Sequence, residues 1–523
     1  MNQFPWLTAS LLLPIVGAVV VMLLPKRSEA ALPKQVALGF SLLTLVLVLV
    51  MATQYDSGAS GFQFEEVHTW IAAFGAHYAL GVDGIGLTLV LLTVILTPAV
   101  ILASWNDADP LATPGATPRW SVNSFFAWML VLEGLAIGTF AATDVFLFYV
   151  LFEATLLPIY FLIGGFGGAR RGYAAIKFLI FSLLGGLIML ASVIGLYVES
   201  AKSSGGPTYL FSELVPLMQN VDTDLGRWLF VGFFVAFAMK APMFPVHTWL
   251  PDATEEATPG TSVLLVSVLD KIGTFGMIRF CLGLFPEASK WATPVVLVLA
   301  VVSVLYGALV AIGQRSIPRL IAYTSVSHFG FIVLGIFVMN SQGQVGSTLY
   351  MFNHGLSTGV LFLVTGYLIS RRGSTQIRDF GGVQKVAPVL AGIFMVGGLS
   401  SLSLPGLSPF VSEFLVMTGA FVHNWWYAAF AVLGIVIAAI YILLMYQRTM
   451  TGPLRPRFEG VPDLGVREVA AMAPLLVLII GLGLFPKPLT DVIAPTVKDT
   501  LSHVGAQDPE PTVGDAAAEG AHE

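Results

Sequence analysis

The sequence predicts an all-α, polytopic membrane protein of about fourteen transmembrane helices, two of them broken. Three observations lead there. First, 56% of the 523 residues are hydrophobic and only 11% are charged, and the mean hydropathy is +0.84; soluble domains carry roughly 25% charged residues. Second, apolar runs of about 20 residues, the length that crosses a bilayer, recur from one end to the other. Third, the basic residues fall almost entirely into alternate connecting segments, as cytoplasmic loops do.

The runs lie near 3–24, 35–54, 83–105, 121–141, 143–165, 173–199, 227–250, 259–285, 293–313, 317–339, 344–370, 388–422, 425–449 and 468–494. The first reads as a membrane helix and not a targeting peptide, because no basic residue precedes it and Lys26 and Arg27 follow it. The seventh contains Lys240 and then Pro242, Pro245 and His247, in the stretch FAMKAPMFPVHTWLPDATEEATP from Phe237 to Pro259. Each proline lacks an N–H and presses its ring on the preceding turn, so the helix breaks there. Carbonyls freed inside a membrane need protein or trapped water as partners. The twelfth run is too long for one straight span and contains Pro405, Gly406 and Pro409, a second broken helix.

The runs group into N-terminal spans (1–120), a five-helix unit (121–285), a second five-helix unit (293–449), a final helix (468–494) and an acidic tail (503–523) read as disordered. Five spans per unit start the two units on opposite sides of the membrane. Discontinuous helices at corresponding positions of inverted repeats are a transporter pattern. Sixteen Lys and Arg fall in the loops after spans one, three, five, nine, eleven and thirteen, against five (Lys202, Arg227, Lys290, Lys487, Lys498) on the other side. Both termini are therefore expected to face away from the cytoplasm. The segment Asp252 to Thr258 is an exception, acidic yet assigned to the cytoplasmic side.

One cysteine, Cys281, excludes an internal disulfide and a cysteine-held iron–sulfur cluster within this chain. Gly164 to Gly168 has no strand before it and reads as a helix end, not a nucleotide loop. His68 and His77 lie in an outer loop without a ligand pattern. No metal, NADH, flavin or haem site is expected, and no nucleic-acid partner.

The informative residues are the ionisable ones in mid-span: Glu133, Glu153, Lys240, Asp270, Lys271, His328, His354 and Glu413. Each charge at a helix centre costs roughly 2.5–3.5 kcal/mol, so Glu153, Lys240, Lys271 and Glu413 together cost roughly 10–14 kcal/mol, about the whole stability of an ordinary domain. They must be paired, hydrated or neutral. Burial disfavours the charged form and an opposite charge restores it, and groups held between those effects exchange protons near neutral pH. A chain of such groups over several helices points to a proton path; taken singly, each also fits a structural pair. His247, seven residues from Lys240 with the prolines between, is expected to support the path together with His328 and His354. Asp270 and Lys271 are helix neighbours, which do not face each other. Arg279, near the outer end of span eight, reads as snorkelling to the surface.

These residues sit in DVFLFYVLFEATLLPIYFLIG, MKAPMFPVHTWLPDATEEATP, SVSHFGFIVLGI, NHGLSTGVLF and LPGLSPFVSEFL. With those motifs the chain resembles, over nearly all its spans, the antiporter-like membrane subunits of respiratory complex I, the proton-pumping NADH:quinone oxidoreductase. It is most similar to their M-type branch, since Glu413 stands where the L and N types usually carry lysine. The resemblance implies a proton-translocating subunit without a redox centre, part of a translocase in the bacterial inner membrane. It implies a Glu153–Lys240 pair, Lys271 linking the two halves with His328 and His354, and Glu413 as the outer proton site. It implies L-type and N-type chains as neighbours, with flavin, iron–sulfur clusters and quinone in partner subunits. Two alternatives share parts of this reading: a subunit of a multi-subunit cation/proton antiporter or membrane-bound hydrogenase, and a structural scaffold whose charges only pin helices together.

Overall fold

The computed structural model describes residues 4–25, 31–109, 118–203, 205–456 and 460–508. In chain order the elements are α1 (Trp6–Leu23), α2 (Ala31–Thr53), a hairpin of β1 (Gln63–Ile71) and β2 (Ala76–Val82), α3 (Gly84–Ala103), α4 (Val122–Ala141), α5 (Val145–Phe166), α6 (Arg171–Ser200) and the short α7 (Phe211–Met218). Then come α8 (Thr223–Lys240), α9 (Trp249–Glu256), α10 (Pro259–Leu282), α11 (Pro286–Ile312), α12 (Ile317–Phe337) and α13 (Ser341–Arg372). Last are α14 (Pro388–Ser401), α15 (Ser408–His423), α16 (Trp425–Met450), α17 (Val466–Leu484) and α18 (Lys487–Val504). Among the described residues, twelve helices are long and apolar enough to cross a membrane. The interrupted pairs α8–α9 and α14–α15 stand outside that number. The molecule is a multi-pass membrane protein, and among the described residues β1 and β2 are its only strands.

Both expected breaks are present. α8 ends at Lys240; Ala241, which precedes Pro242, has a non-helical ψ of 73°. Trp249 Nε1 reaches back to donate to Met239 O at 2.9 Å, so one carbonyl freed at the break is satisfied. Between α14 and α15 the backbone turns through Ser403 (φ 59°) and Gly406 (φ 92°). A third irregularity lies inside α5 at Thr155, and its cause is Pro158, whose ring opposes the carbonyl four residues earlier, that of Ala154.

The burial gradient runs inward from α1, α2 and α17 at the rim to α10, α12 and α13 in the interior. α10 also departs from α geometry, with π-helical turns at Leu264–Leu269 and Met277–Leu282.

Several expectations need correction. The run 468–494 is not one helix: Phe485, before Pro486, is non-helical, and the chain starts afresh as α18. That helix is amphipathic, burying Leu489, Ile493, Val497 and Leu501. It lies against α3, where Gly84 N donates to Thr496 Oγ1 at 3.0 Å. The tail is ordered as far as described: His503 Nε2 bonds Gly283 O at 2.9 Å, and Asp508 accepts from Ser341 N at 2.8 Å; 509–523 lie outside the described residues, as do Lys26, Arg27 and Arg457. The loop holding His68 and His77, expected on the outer side, is the β1–β2 hairpin. Its turn needs Gly75 (φ 64°), where a Cβ would also strike the Pro207 carbonyl.

Candidate functional site, a buried line of ionisable side chains

Glu153 is set by the start of its helix. Asp144 caps α5, accepting from Leu147 N at 2.9 Å, and also accepts from His77 N of the hairpin at 2.9 Å. Nine residues on, the half-buried Glu153 carboxyl lies over Gly186 of α6, where any Cβ would overlap it. Beside it, Gly185 lets α6 close on α8 at Ala236 and Met239, each 3.2 Å from where a Cβ would stand. Lys240, 1% exposed, has its ammonium 5.0 Å from the ring centre of Phe152 and 5.9 Å from that of Phe178. Such faces stabilise a desolvated cation. Glu153 Oε1 and Lys240 Nζ have no hydrogen-bonding protein partner. The pair is thus an electrostatic couple across a gap and not a contact. The carboxyls whose charge acts on Lys240 are Glu153 and then Asp270.

Lys271, wholly buried, is held from two sides. Its Nζ donates to Val266 O at 3.0 Å, inside the first π-helical stretch, and lies 2.6 Å from His354 Nδ1. The Phe329 ring lies 4.6 Å away. From His354 on α13 the line passes to His328 on α12, with ring centres 5.2 Å apart and edge to face, and then to Tyr350 at 5.8 Å. Tyr350 Oη donates to Glu413 Oε2 at 2.7 Å, and Ser403 Oγ, from the break between α14 and α15, donates to the same oxygen at 2.5 Å. The left-handed backbone at Ser403 thus places a donor on the carboxyl.

Other residues fall off this line. His247 is buried in a cage of Tyr306, Phe244 and Tyr323 at 5.1, 6.0 and 6.0 Å, and neither ring nitrogen has a protein partner. Nothing bonds it to Lys240. Glu133 is buried on α4, and neither of its oxygens has a hydrogen-bonding partner among the described residues. Arg279 does not snorkel: it pairs with Asp83, the N-cap of α3, at 2.7 Å and lies over Phe62, Phe275 and Phe211. Only the fold could reveal that pairing, since the partners stand 196 residues apart.

The acidic segment after the first break is explained by its neighbours. It forms α9, whose Asp252 meets Lys177 at 2.6 Å and Arg319 at 2.5 Å, while Glu255 meets Arg319 at 3.1 Å. Burial acts to raise the Asp252 pKa, but bonds and charges from Lys177 and Arg319 outweigh it and hold the carboxyl below its ordinary value. Among the described residues no group of three His, Cys, Asp or Glu side chains is placed to hold a metal ion.

Two broken helices bracketing a buried series of lysines, histidines and carboxyls define the antiporter-like class of membrane subunits. Residues 142–438 match the family described as NADH:quinone oxidoreductase/Mrp antiporter, transmembrane. The chain belongs to this family, within its subunit M branch. NADH-quinone oxidoreductase subunit M of Mycobacterium tuberculosis is 50% identical over 537 aligned residues, spanning 98% of this chain and 97% of the relative. The Rhodobacter capsulatus subunit M is 37% identical over 94% of this chain and 96% of its own length. Among solved structures, a chain of respiratory complex I from Thermus thermophilus with bound NADH superposes with a TM-score of 0.85 at 30% identity, covering 96% of this chain and all of that one. A chain of the Mrp complex from Dietzia superposes at 0.81 with 20% identity over 96% of this chain and all of that one, a likeness of fold alone.

Proposed function

We propose that this chain is a proton-translocating membrane-arm subunit of an NADH:quinone oxidoreductase, with no redox centre of its own. The observation that supports this best is the series Glu153, Lys240, Asp270, Lys271, His354, His328, Tyr350, Glu413, which crosses the interior from one broken helix to the other. Electron transfer to quinone belongs to partner subunits, which hold the flavin and clusters. A change in the Glu153–Lys240 couple moves a proton off Lys240, through Lys271 and the histidines, to Glu413. L-type and N-type antiporter-like chains are the neighbours, and the membrane is the bacterial inner membrane. Ten of the fourteen spans form two inverted repeats of five, α4 to α10 and α11 to α16.

The test is Glu153→Gln in the assembled complex. It deletes the carboxylate charge paired with Lys240 and leaves the space over Gly186 filled. NADH-driven acidification of inverted vesicles is expected to fall roughly tenfold, the equivalent of one pKa unit or 1.4 kcal/mol, with assembly on a native gel unchanged. Unaltered pumping would favour the scaffold reading. Orientation is checked separately by single cysteines at Arg371 and at Asp508, labelled in sealed vesicles. Opposite sides are expected, with position 371 cytoplasmic; labelling of both from one side refutes the fourteen-span count.

A further inference from the structure

Asp270 is fully buried, and neither of its carboxyl oxygens has a hydrogen-bonding protein partner. Such a group is tolerated as a neutral acid or as a carboxylate near a cation, since an uncompensated buried charge costs several kcal/mol. Its position supplies the cations. Asp270 and Gly273 share a face of α10, being three residues apart. At Gly273 that face lies on the broken end of α8: an added Cβ would stand 2.6 Å from both Ala241 N and Phe237 O. Lys240 lies between those two residues in the chain. Lys271, about 100° further around α10, points to His354 on α13. Asp270 therefore stands between an amine on α8 and an amine that faces the second half. Lys271 and then Lys240 are the cations acting on it.

We propose that Asp270 is the relay carboxyl that carries the proton from Lys240 to Lys271, a role that rests on the translocation reading above. The Lys240 ammonium gives its proton, through a bridging water, to the Asp270 carboxylate, leaving a neutral amine and a carboxylic acid. The acid then protonates the neutral Lys271 amine through a second water, since the two side chains do not face each other, and becomes a carboxylate again. Charge and protons balance at each step, and no redox partner is needed.

The experiment measures NADH-driven acidification per NADH oxidised in inverted vesicles holding the whole complex. Asp270→Asn keeps the shape and removes the exchangeable proton. It is expected to lower pumping at least about tenfold, given that a positioned proton carrier contributes 10²–10⁴-fold. Asp270→Glu, which restores the carboxyl, is expected to recover most of it. Should the asparagine variant fail to assemble, Asp270→Ser is the second neutral variant. Wild-type pumping in an assembled neutral variant overturns the relay. Equal loss in Asp270→Glu and Asp270→Asn overturns it as well, because that marks a packing role. Lys271→Ala is the control: if it too pumps normally, the translocation reading has failed and not the relay alone.

Discussion

Replacing Lys271 by alanine is expected to reduce proton pumping about 100-fold or more, the effect of deleting a proton-transfer group, while the complex still assembles. Lys271 is where the two halves of the line join. Its amine is bonded to His354 Nδ1 and to Val266 O, and its removal leaves both without that partner. Lys271→Arg separates charge from titration. A guanidinium keeps the positive charge but does not deprotonate at accessible pH, so this variant is also expected to fail in pumping. Acidification of inverted vesicles against NADH oxidation is the measurement. If Lys271→Arg pumps at the wild-type rate, the site needs only a fixed cation, and proton transfer through this amine is ruled out.

Glu413→Ala is the second large effect, again about 100-fold or more if the carboxyl is the last proton carrier. The carboxyl accepts from Tyr350 and Ser403 on one oxygen, so the fold aims two donors at it. Glu413→Gln retains an acceptor for both donors yet holds no exchangeable proton, and is expected to be as inactive as alanine but better assembled. Glu413→Asp is expected to keep part of the activity, since its shorter reach loosens the Tyr350 and Ser403 bonds without removing the acid. Glu413→Lys is expected to retain some pumping if the position requires only a titratable group. Equal pumping by the alanine and aspartate variants would take this carboxyl off the proton path.

The ionisable residues were legible because each contradicts its surroundings: a lysine or glutamate in an apolar run carries a cost that demands a reason. The breaks at Pro242–Pro245 and Pro405–Pro409 were legible from backbone chemistry alone. The order of the line was not, since it depends on how α10, α12 and α13 are rotated against each other. Asp270 illustrates this. In sequence it is only a neighbour of Lys271; in space it lies toward α8. Tyr350 and Ser403 carry no charge and so gave no signal, although both bond Glu413. The hairpin escaped because Gln63–Ile71 is mostly exposed and lacks a clean alternation of apolar and polar positions. The break at Pro486 did carry a signal, since Lys487, Pro488 and Asp491 follow it, but the apolar run before it masked that signal; α18 shows itself through its amphipathic face.

The π-helical stretch at Leu264–Leu269 ties this chemistry to a residue count. A π turn is an α-helix carrying one surplus residue. The surplus residue is taken up within the stretch, so deleting one residue of 264–269 would restore a regular turn and leave Lys271 and Asp270 on their present faces. What it would remove is the widened turn whose Val266 carbonyl holds the Lys271 amine. Substitution scanning of 264–269 would then report a tolerant apolar stretch, while a single-residue deletion would free that amine from its backbone partner. Length, as much as composition, is the quantity that this part of the chain has to keep.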